Sequence, residues 1–163
     1  MMENRKQVNF YRLALAEGKR FRMELSDDYR LTGTGGGVFT WLAPVYDSMD
    51  QNETWHRLVL SGIFRECKYE IMAAASNEDL REFLYAEERT ADQIEEMLRE
   101  QTFIRKVNTD DLLLHSLTGQ YLYILIRVSG ARVDSHFQID GLHVEFPWGS
   151  FVEYLPEIYQ MSG

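Results

Sequence analysis

Four histidines, one cysteine and several paired carboxylates are the residues of this chain with chemistry to offer. His56, His115, His136 and His143 form no His-x-x-x-His pair, and Cys67 is the single cysteine. A structural or catalytic zinc needs three or four such ligands at short spacings, so no metal site is expected. Cys67 has no partner for an internal disulfide. In its strand-like surroundings it reads as a small buried hydrophobe rather than a reactive thiol. Asp27-Asp28, Glu87-Glu88 and Asp110-Asp111 are neighbours in sequence. Paired-carboxylate hydrolysis needs two groups facing across a cleft, whereas neighbours along a strand point to opposite faces. They read as solvated charges. No Gly-x-Ser-x-Gly elbow offers a serine nucleophile. The run Gly33-Thr34-Gly35-Gly36-Gly37 invites a phosphate-loop reading, but Val38 stands where a dinucleotide fingerprint needs its third glycine, and no Gly-Lys-Ser/Thr follows. A strand pattern succeeds it, not a helix whose N-terminus could hold phosphate. No catalytic residue, cofactor or metal is therefore expected, and the chain does not read as an enzyme.

Two other groups of residues could bind rather than react. Exposed rings at Trp41, Trp55 and Trp148 could stack on sugars, although tryptophan more often lies in a core or an interface. The chain also closes on GSFVEYLPEIYQMSG, in which Phe151, Val152, Tyr154, Leu155, Ile158 and Tyr159 crowd nine positions around Pro156. Each large apolar side chain gains about 1.5–3 kcal/mol on burial. The phase of this segment and its proline place it outside the preceding domain. Phe151, Tyr154, Leu155, Pro156, Ile158 and Tyr159 are thus the candidate arm for docking a partner.

The elements that would carry these residues are mostly strands. A chain of 163 residues, 45% hydrophobic and 26% charged, reads as one globular domain. Residues 55–60, 67–76, 121–128 and 137–146 alternate apolar and polar positions as half-buried strands do. Residues 20–25 and 38–47 read as further strands, the second interrupted at Pro44. In 137–146, Phe137 and Ile139 share one phase while Leu142, Val144 and Phe146 take the opposite one. A one-residue slip inverts the faces of a strand, so Asp140-Gly141 must be a bulge or a turn. Residues 77–101 differ, being rich in Glu, Leu and Arg. Asn77 reads as an N-cap with Leu80, Phe83 and Leu84 at helical spacing, and Thr90 with Gln93 fits a capping box before Ile94, Met97 and Leu98. The expectation is an all-β antiparallel sandwich over residues 1–149 with a helical insert at about 77–101, lying on the sheet or against a partner. Residues 150–163 follow as a junction or docking segment.

Charge and hydropathy exclude other classes. The formal charge of −9 and scattered Lys and Arg argue against a nucleic-acid partner. The apolar run at 121–126 is far shorter than the ~20 residues a membrane-spanning helix needs, so no membrane insertion is expected. The N-terminus lacks the apolar stretch of a signal peptide, so synthesis in the cytoplasm is expected, with any exit by a non-signal route.

Three stretches in order resemble one family. Asp47-Ser48 followed by Trp55-His56-Arg57-Leu58 resembles the Asp-Ser-Gly … Trp-His-Arg-Leu stretch of phage tail-like proteins of the tail protein I group, with Met49 where glycine is usual. DLLLHSLTGQYLYILIRVSG at 111–130 is similar to that family's Asp-Leu-Leu-Leu … Gly-Arg-Tyr-Leu-Trp-Leu segment, with Gln120 for Arg and Tyr123 for Trp. Residues 142–160 resemble its strand-to-"Tyr-Leu-Pro-Ala-Ile-Tyr-Gln" junction, with Phe151 at a Tyr position and Glu157 at the Ala position. The resemblance spans roughly 38–160. It implies a structural component of a contractile phage tail or injection-system baseplate, acting through other baseplate and tail proteins within the assembled particle. Since the family's tail-protein region begins at the Leu-Pro-x-Ile-Tyr-Gln motif, it also implies either the N-terminal part of a longer protein, the favoured reading, or a short relative that kept only the preceding domain. The strands at 121–130 and 139–147 further resemble the jelly-roll sandwich of discoidin-like and carbohydrate-binding modules. The alternative function is accordingly a glycan-binding sandwich displayed on the particle, with a surface glycan as its ligand.

Overall fold

Residues 4–7, 12–13, 21–146 and 151–155 are described by the computed structural model. In chain order its elements are β1 (Asn4–Gln7), β2 (Arg12–Leu13), β3 (Arg22–Leu25), β4 (Leu31–Thr34), β5 (Gly37–Leu42), β6 (Tyr46–Asp47), β7 (Arg57–Arg65) and β8 (Lys68–Ser76). Helices α1 (Arg81–Leu84) and α2 (Ala91–Arg99) follow, then β9 (Thr102–Val107), β10 (Asp111–Leu113), β11 (Tyr121–Gly130), β12 (His136–Glu145) and β13 (Phe151–Tyr154). The strands form two sheets packed face to face, an antiparallel β-sandwich of jelly-roll type with a helical insert.

The first sheet is built around β12. One edge of β12 pairs with β7 along its whole length, and β7 in turn pairs with β10. The other edge is shared. β4 takes residues 136–139 and carries β3, while β13 takes residues 142–145 and carries β1 in parallel. The second sheet runs β2-β5-β11-β8-β9, and β6 pairs with the start of β11. Alternation explains which side chains meet between the sheets. Leu58 and Leu60, Phe137 and Ile139, then Leu142 and Val144 point inward from the first sheet. Ile71, Ala73 and Ala75 meet them from the second, with Leu122, Ile124, Ile126 and Val128. Asp140 is the extra residue: the register between β7 and β12 shifts between Ile139 and Gly141, so the phase inversion in the sequence is a bulge.

The central strands of the second sheet are buried on both faces, because the insert covers the outer one. Ile94 and Leu98 of α2, with Leu80 and Leu84, pack on Leu42, Met72, Ala74, Tyr123 and Leu125. The apolar helix face is therefore internal to the fold. The Thr90–Gln93 capping box is formed reciprocally. Asn77 is not the N-cap of α1. That position is Leu80, and the Asn77 side chain instead accepts from the Gln120 backbone N–H at 2.9 Å. The insert is pinned by Tyr123, whose hydroxyl donates to the Glu78 carbonyl (2.7 Å) and accepts from the Leu80 N–H (2.9 Å).

At one end of the sandwich β4–β5, β7–β8 and β11–β12 each cross from one sheet to the other. Ser135, fully buried, ties these corners together: its hydroxyl donates to the Glu66 carbonyl at 2.7 Å, and its carbonyl accepts from Gly35 N–H. Gly36 has φ +77, and a Cβ there would lie 2.6 Å from the Arg132 carbonyl oxygen. The glycine run is thus an inter-sheet corner, tight at Gly36.

Two expectations need correction. The strand expected at residues 55–60 does not end there but runs as β7 to Arg65. The closing segment does not begin outside the sandwich: Phe151–Tyr154 is a strand of the first sheet, with Val152 2% and Tyr154 1% exposed. The sandwich therefore includes at least residues 151–154, past the expected boundary at 149.

Candidate functional site

The outward residues of the first sheet line up as rungs across the strands, because a β-strand sends alternate side chains to the same face. One rung is Leu113–Arg57–Glu145–Phe151, and the next is Asp111–Val59–His143–Glu153. Two rungs further on come Ile63–Gln138–Thr32–Glu24. Between these lies the rung Ser61–Gly141, which offers only a hydroxymethyl group and a hydrogen. At about 3.3 Å rise per residue, the flanking positions 59 and 63 stand ~13 Å apart. The small rung forms one end of a trough of about 410 Å³ that extends over the rows of Val59 and Arg57. That falls within the ~300–1,000 Å³ of ordinary ligand sites. Val59 and Leu155 give it apolar surface, and Arg57, Asp140, His143, Glu145 and Glu153 line it with polar groups.

Each polar group is held by a neighbour. Arg57 donates to both oxygens of Asp111, at 2.9 and 2.5 Å, and its third nitrogen stands 3.8 Å from Glu145. The Arg57 hydrogen bond holds the Asp111 carboxyl below the usual carboxylate range. His143 Nδ1 lies 3.8 Å from Glu153, and its ring meets the Phe151 ring at 4.6 Å between centroids. Asp140, displaced outward by the bulge, accepts from Gln138 Nε2 at 2.9 Å and pairs with Arg30 at 3.4 Å. Glu145, His143 and Glu153 keep roughly a third of their side-chain surface in solvent. The trough can therefore form hydrogen bonds with a ligand and press an apolar face against it.

Gly141 sharpens this. A Cβ at Gly62, one position from Ser61 on β7, would stand 2.3 Å from the Gln138 carbonyl oxygen, so packing alone demands that glycine. A Cβ at Gly141 would meet only the Tyr154 carbonyl oxygen at 3.4 Å and Leu155 at 3.8 Å, ordinary contacts. Neither strain nor crowding excludes alanine at 141. Its hydrogen leaves the floor of the trough open.

The residues singled out from sequence fall elsewhere. Trp41 is 1% and Trp55 0% exposed. Neither ring can stack on a sugar, and both are core residues. Trp55 donates from its indole nitrogen to the Gly119 carbonyl (3.1 Å) and packs against Tyr46 and Phe146. Trp148, Pro156, Ile158 and Tyr159 lie outside the described residues. Of the docking arm, Tyr154 is in the core and unavailable to a partner, while Phe151 and Leu155 are half-buried at the trough's margin. Cys67 donates from its thiol to the His136 carbonyl (3.4 Å), and burial pushes its pKa up, the opposite of activation. Among the described residues no group of three His, Cys, Asp or Glu could hold a metal ion, and no helix is long and apolar enough to cross a membrane. Sequence reasoning missed the trough itself. Its one sequence signal is the coincidence of the Asp140-Gly141 phase slip with the small pair Ser61-Gly62.

No family model and no curated protein matches the sequence. Among solved structures, the chain is similar to the glycosylation-associated protein Gap123 complex of Streptococcus agalactiae, at 10% identity and a TM-score of 0.48. That likeness covers 81% of this chain and 23% of the other, so the chain spans under a quarter of its length. It is similar to accessory secretory protein 1,2 and 3 in Streptococcus pneumoniae at 9% identity and a TM-score of 0.46, covering 96% of this chain and 100% of that one. It is also similar to TmCBM61, solved with β-1,4-galactotriose, at 7% identity and a TM-score of 0.43, covering 72% and 70%. These are distant likenesses of chain path and say nothing of what this chain binds.

Proposed function

We propose that the chain is a non-catalytic recognition module that binds a glycan in the trough of its first sheet. The observation that carries this reading is the Ser61–Gly141 rung. It leaves a slot beside the Val59–His143–Glu153 row, with Gly141 bare although a methyl group would fit. Sugars present hydroxyls around weakly apolar ring faces. Asp140, Glu145 and Glu153 supply acceptors, and Val59 and Leu155 supply the apolar contact. Ser61→Tyr fills the slot from an exposed position, where substitutions usually change stability by less than about 0.5 kcal/mol. Glycan-array screening followed by calorimetry should find a ligand for the natural chain that Ser61→Tyr loses, with the unfolding midpoint unchanged. Retention of full affinity by Ser61→Tyr would refute the trough as the site.

A second reading, that the module belongs to a contractile tail-like particle, is supported by how the resembling stretches sit. Met49, at the position where the family carries glycine, has φ +64, in the left-handed region glycine favours. The three stretches also touch one another. Arg57 grips Asp111, Trp55 bonds Gly119, Ser48 bonds the Gln120 carbonyl at 2.8 Å, and β12 pairs with β7. A deletion test must spare β13, whose Val152 and Tyr154 are core. Removing residues 156–163 should leave a folded domain that no longer co-purifies with baseplate proteins. Undiminished co-purification would rule out the docking role of Pro156, Ile158 and Tyr159.

A further inference from the structure

The charges around the trough narrow the ligand class, taking the glycan reading as given. Asp140, Glu145 and Glu153 line the slot, with Asp111 one rung position away. Both arginines in reach are already engaged. Arg57 spends two nitrogens on Asp111 and faces Glu145 with the third, and Arg30 stands 3.4 Å from Asp140 and 3.5 Å from Asp28. Beyond Glu153 the second rung ends at the register position of Lys6 on the edge strand. No unpaired arginine faces the slot among the described residues, whereas Glu145 and Glu153 retain carboxylate oxygens held by contacts of 3.8 Å, longer than a hydrogen bond. The chain as a whole carries −9, so the wider field has the same sign as the slot. Hydroxyl groups donate to such carboxylates. Carboxylate or sulfate groups on a ligand would be repelled by them.

We infer that the trough selects neutral glycans and excludes uronate-bearing and sulfated ones through Glu145, Glu153 and Asp140. Two unit charges 4 Å apart in water interact by roughly 1 kcal/mol, about a fivefold change in affinity for each carboxylate neutralised. The test compares neutral galactan, glucan and mannan oligosaccharides with oligogalacturonate and heparin oligosaccharides, at about 0.05 M and about 0.5 M salt, where screening weakens the repulsion. It uses the natural chain and Glu145→Gln/Glu153→Gln, with thermal unfolding as a control for folding. The expected result is binding of a neutral oligosaccharide and, at low salt, of no acidic one. Acidic oligosaccharides should gain at least about fivefold in the double variant, and should also gain in the natural chain as salt rises. Salt dependence in the natural chain keeps the test valid should the double variant fail to fold. Acidic oligosaccharides binding the natural chain at low salt as tightly as neutral ones would overturn the charge selection and leave the trough reading standing. Failure of every glycan to bind would overturn both.

Discussion

Met49 holds a left-handed backbone (φ +64) with its side chain 81% exposed. The Asp47 carboxylate fixes the turn by accepting from the Met49 N–H at 2.8 Å. A non-glycine residue in this region costs ~1–2 kcal/mol, and an exposed side chain returns little packing. Glycine adds ~0.4–1 kcal/mol of unfolded-state entropy. Met49→Gly should therefore raise stability slightly, by about 0–1.6 kcal/mol on these figures, read as a higher urea midpoint at unchanged slope. The two glycines beside the trough should behave oppositely. Gly62→Ala drives a methyl group into a carbonyl oxygen and should cost about 1–3 kcal/mol or more, whereas Gly141→Ala should stay within about 0.5–1 kcal/mol. Equal losses at both would refute the packing described for Gly141. At this scale the bulge was readable, because Phe137 and Ile139 cannot share a face with Leu142 and Val144 unless one residue is extra. The fate of the tryptophans was not. Trp55 is buried by a bond to Gly119, a contact across 64 positions of sequence that no local pattern encodes.

The helical insert turns an exposed sheet face into a second core. Thr90 and Gln93 close the start of α2 on themselves, at 3.2 and 3.0 Å. Losing such a cap costs about 1 kcal/mol, and Leu98, fully buried against the sheet, should cost about 2–5 kcal/mol when cut to alanine. Amide exchange should locate both effects. Thr90→Ala should loosen the first turn of α2, while Leu98→Ala should also speed exchange in β8 and β11 beneath it. Protection unchanged in those strands would mean the helix is not their cover. The insert and its capping box were legible because helical spacing and a Thr-x-x-Gln signal are local. α1 was less so: it has four residues, and Asn77, the residue that looked like its cap, is spent on Gln120. β9 and β10 escaped notice for a similar reason. β9 is exposed on most of both faces, so it lacks alternation, and β10 has three residues.

For the molecule as a whole, carboxylates set the acid limit of stability. Arg57 holds Asp111 low and Arg81 holds Asp79 low. Burial pushes Glu70 up, but Lys68 and Arg105, at 3.0 and 2.6 Å, more than reverse it. All three are depressed in the folded state, so their contribution is present above the unfolded value near 4 and is lost as pH falls through the folded values. The unfolding midpoint should be level between about pH 7 and pH 5 with respect to these groups and fall below about pH 4, modestly where solvent screens the exposed Asp111 and Asp79 pairs. Asp111→Asn should flatten part of that fall, and a slope identical to that of the natural chain would show that the Arg57 pair adds nothing. The sandwich itself was legible, since period-2 runs separated by turn signals leave few other architectures. The trough was not, because it exists only once Ser61 is set opposite Gly141, and strand register is a property of the assembled sheet.

That register hangs on β12, which pairs with three strands of the first sheet, β4, β7 and β13. It is also among the last of the described strands to be made. Between the end of β7 at residue 65 and the end of β12 at residue 145, a ribosome adding ~5–20 residues per second needs about 4–16 s. Throughout that interval β4 and β7 have emerged with their central neighbour unwritten and their apolar faces, including Leu31, Leu58 and Leu60, still in water. The nascent chain must be kept from pairing elsewhere for those seconds, so in the cell its yield should depend on translation speed and on chaperones that hold unpaired strands.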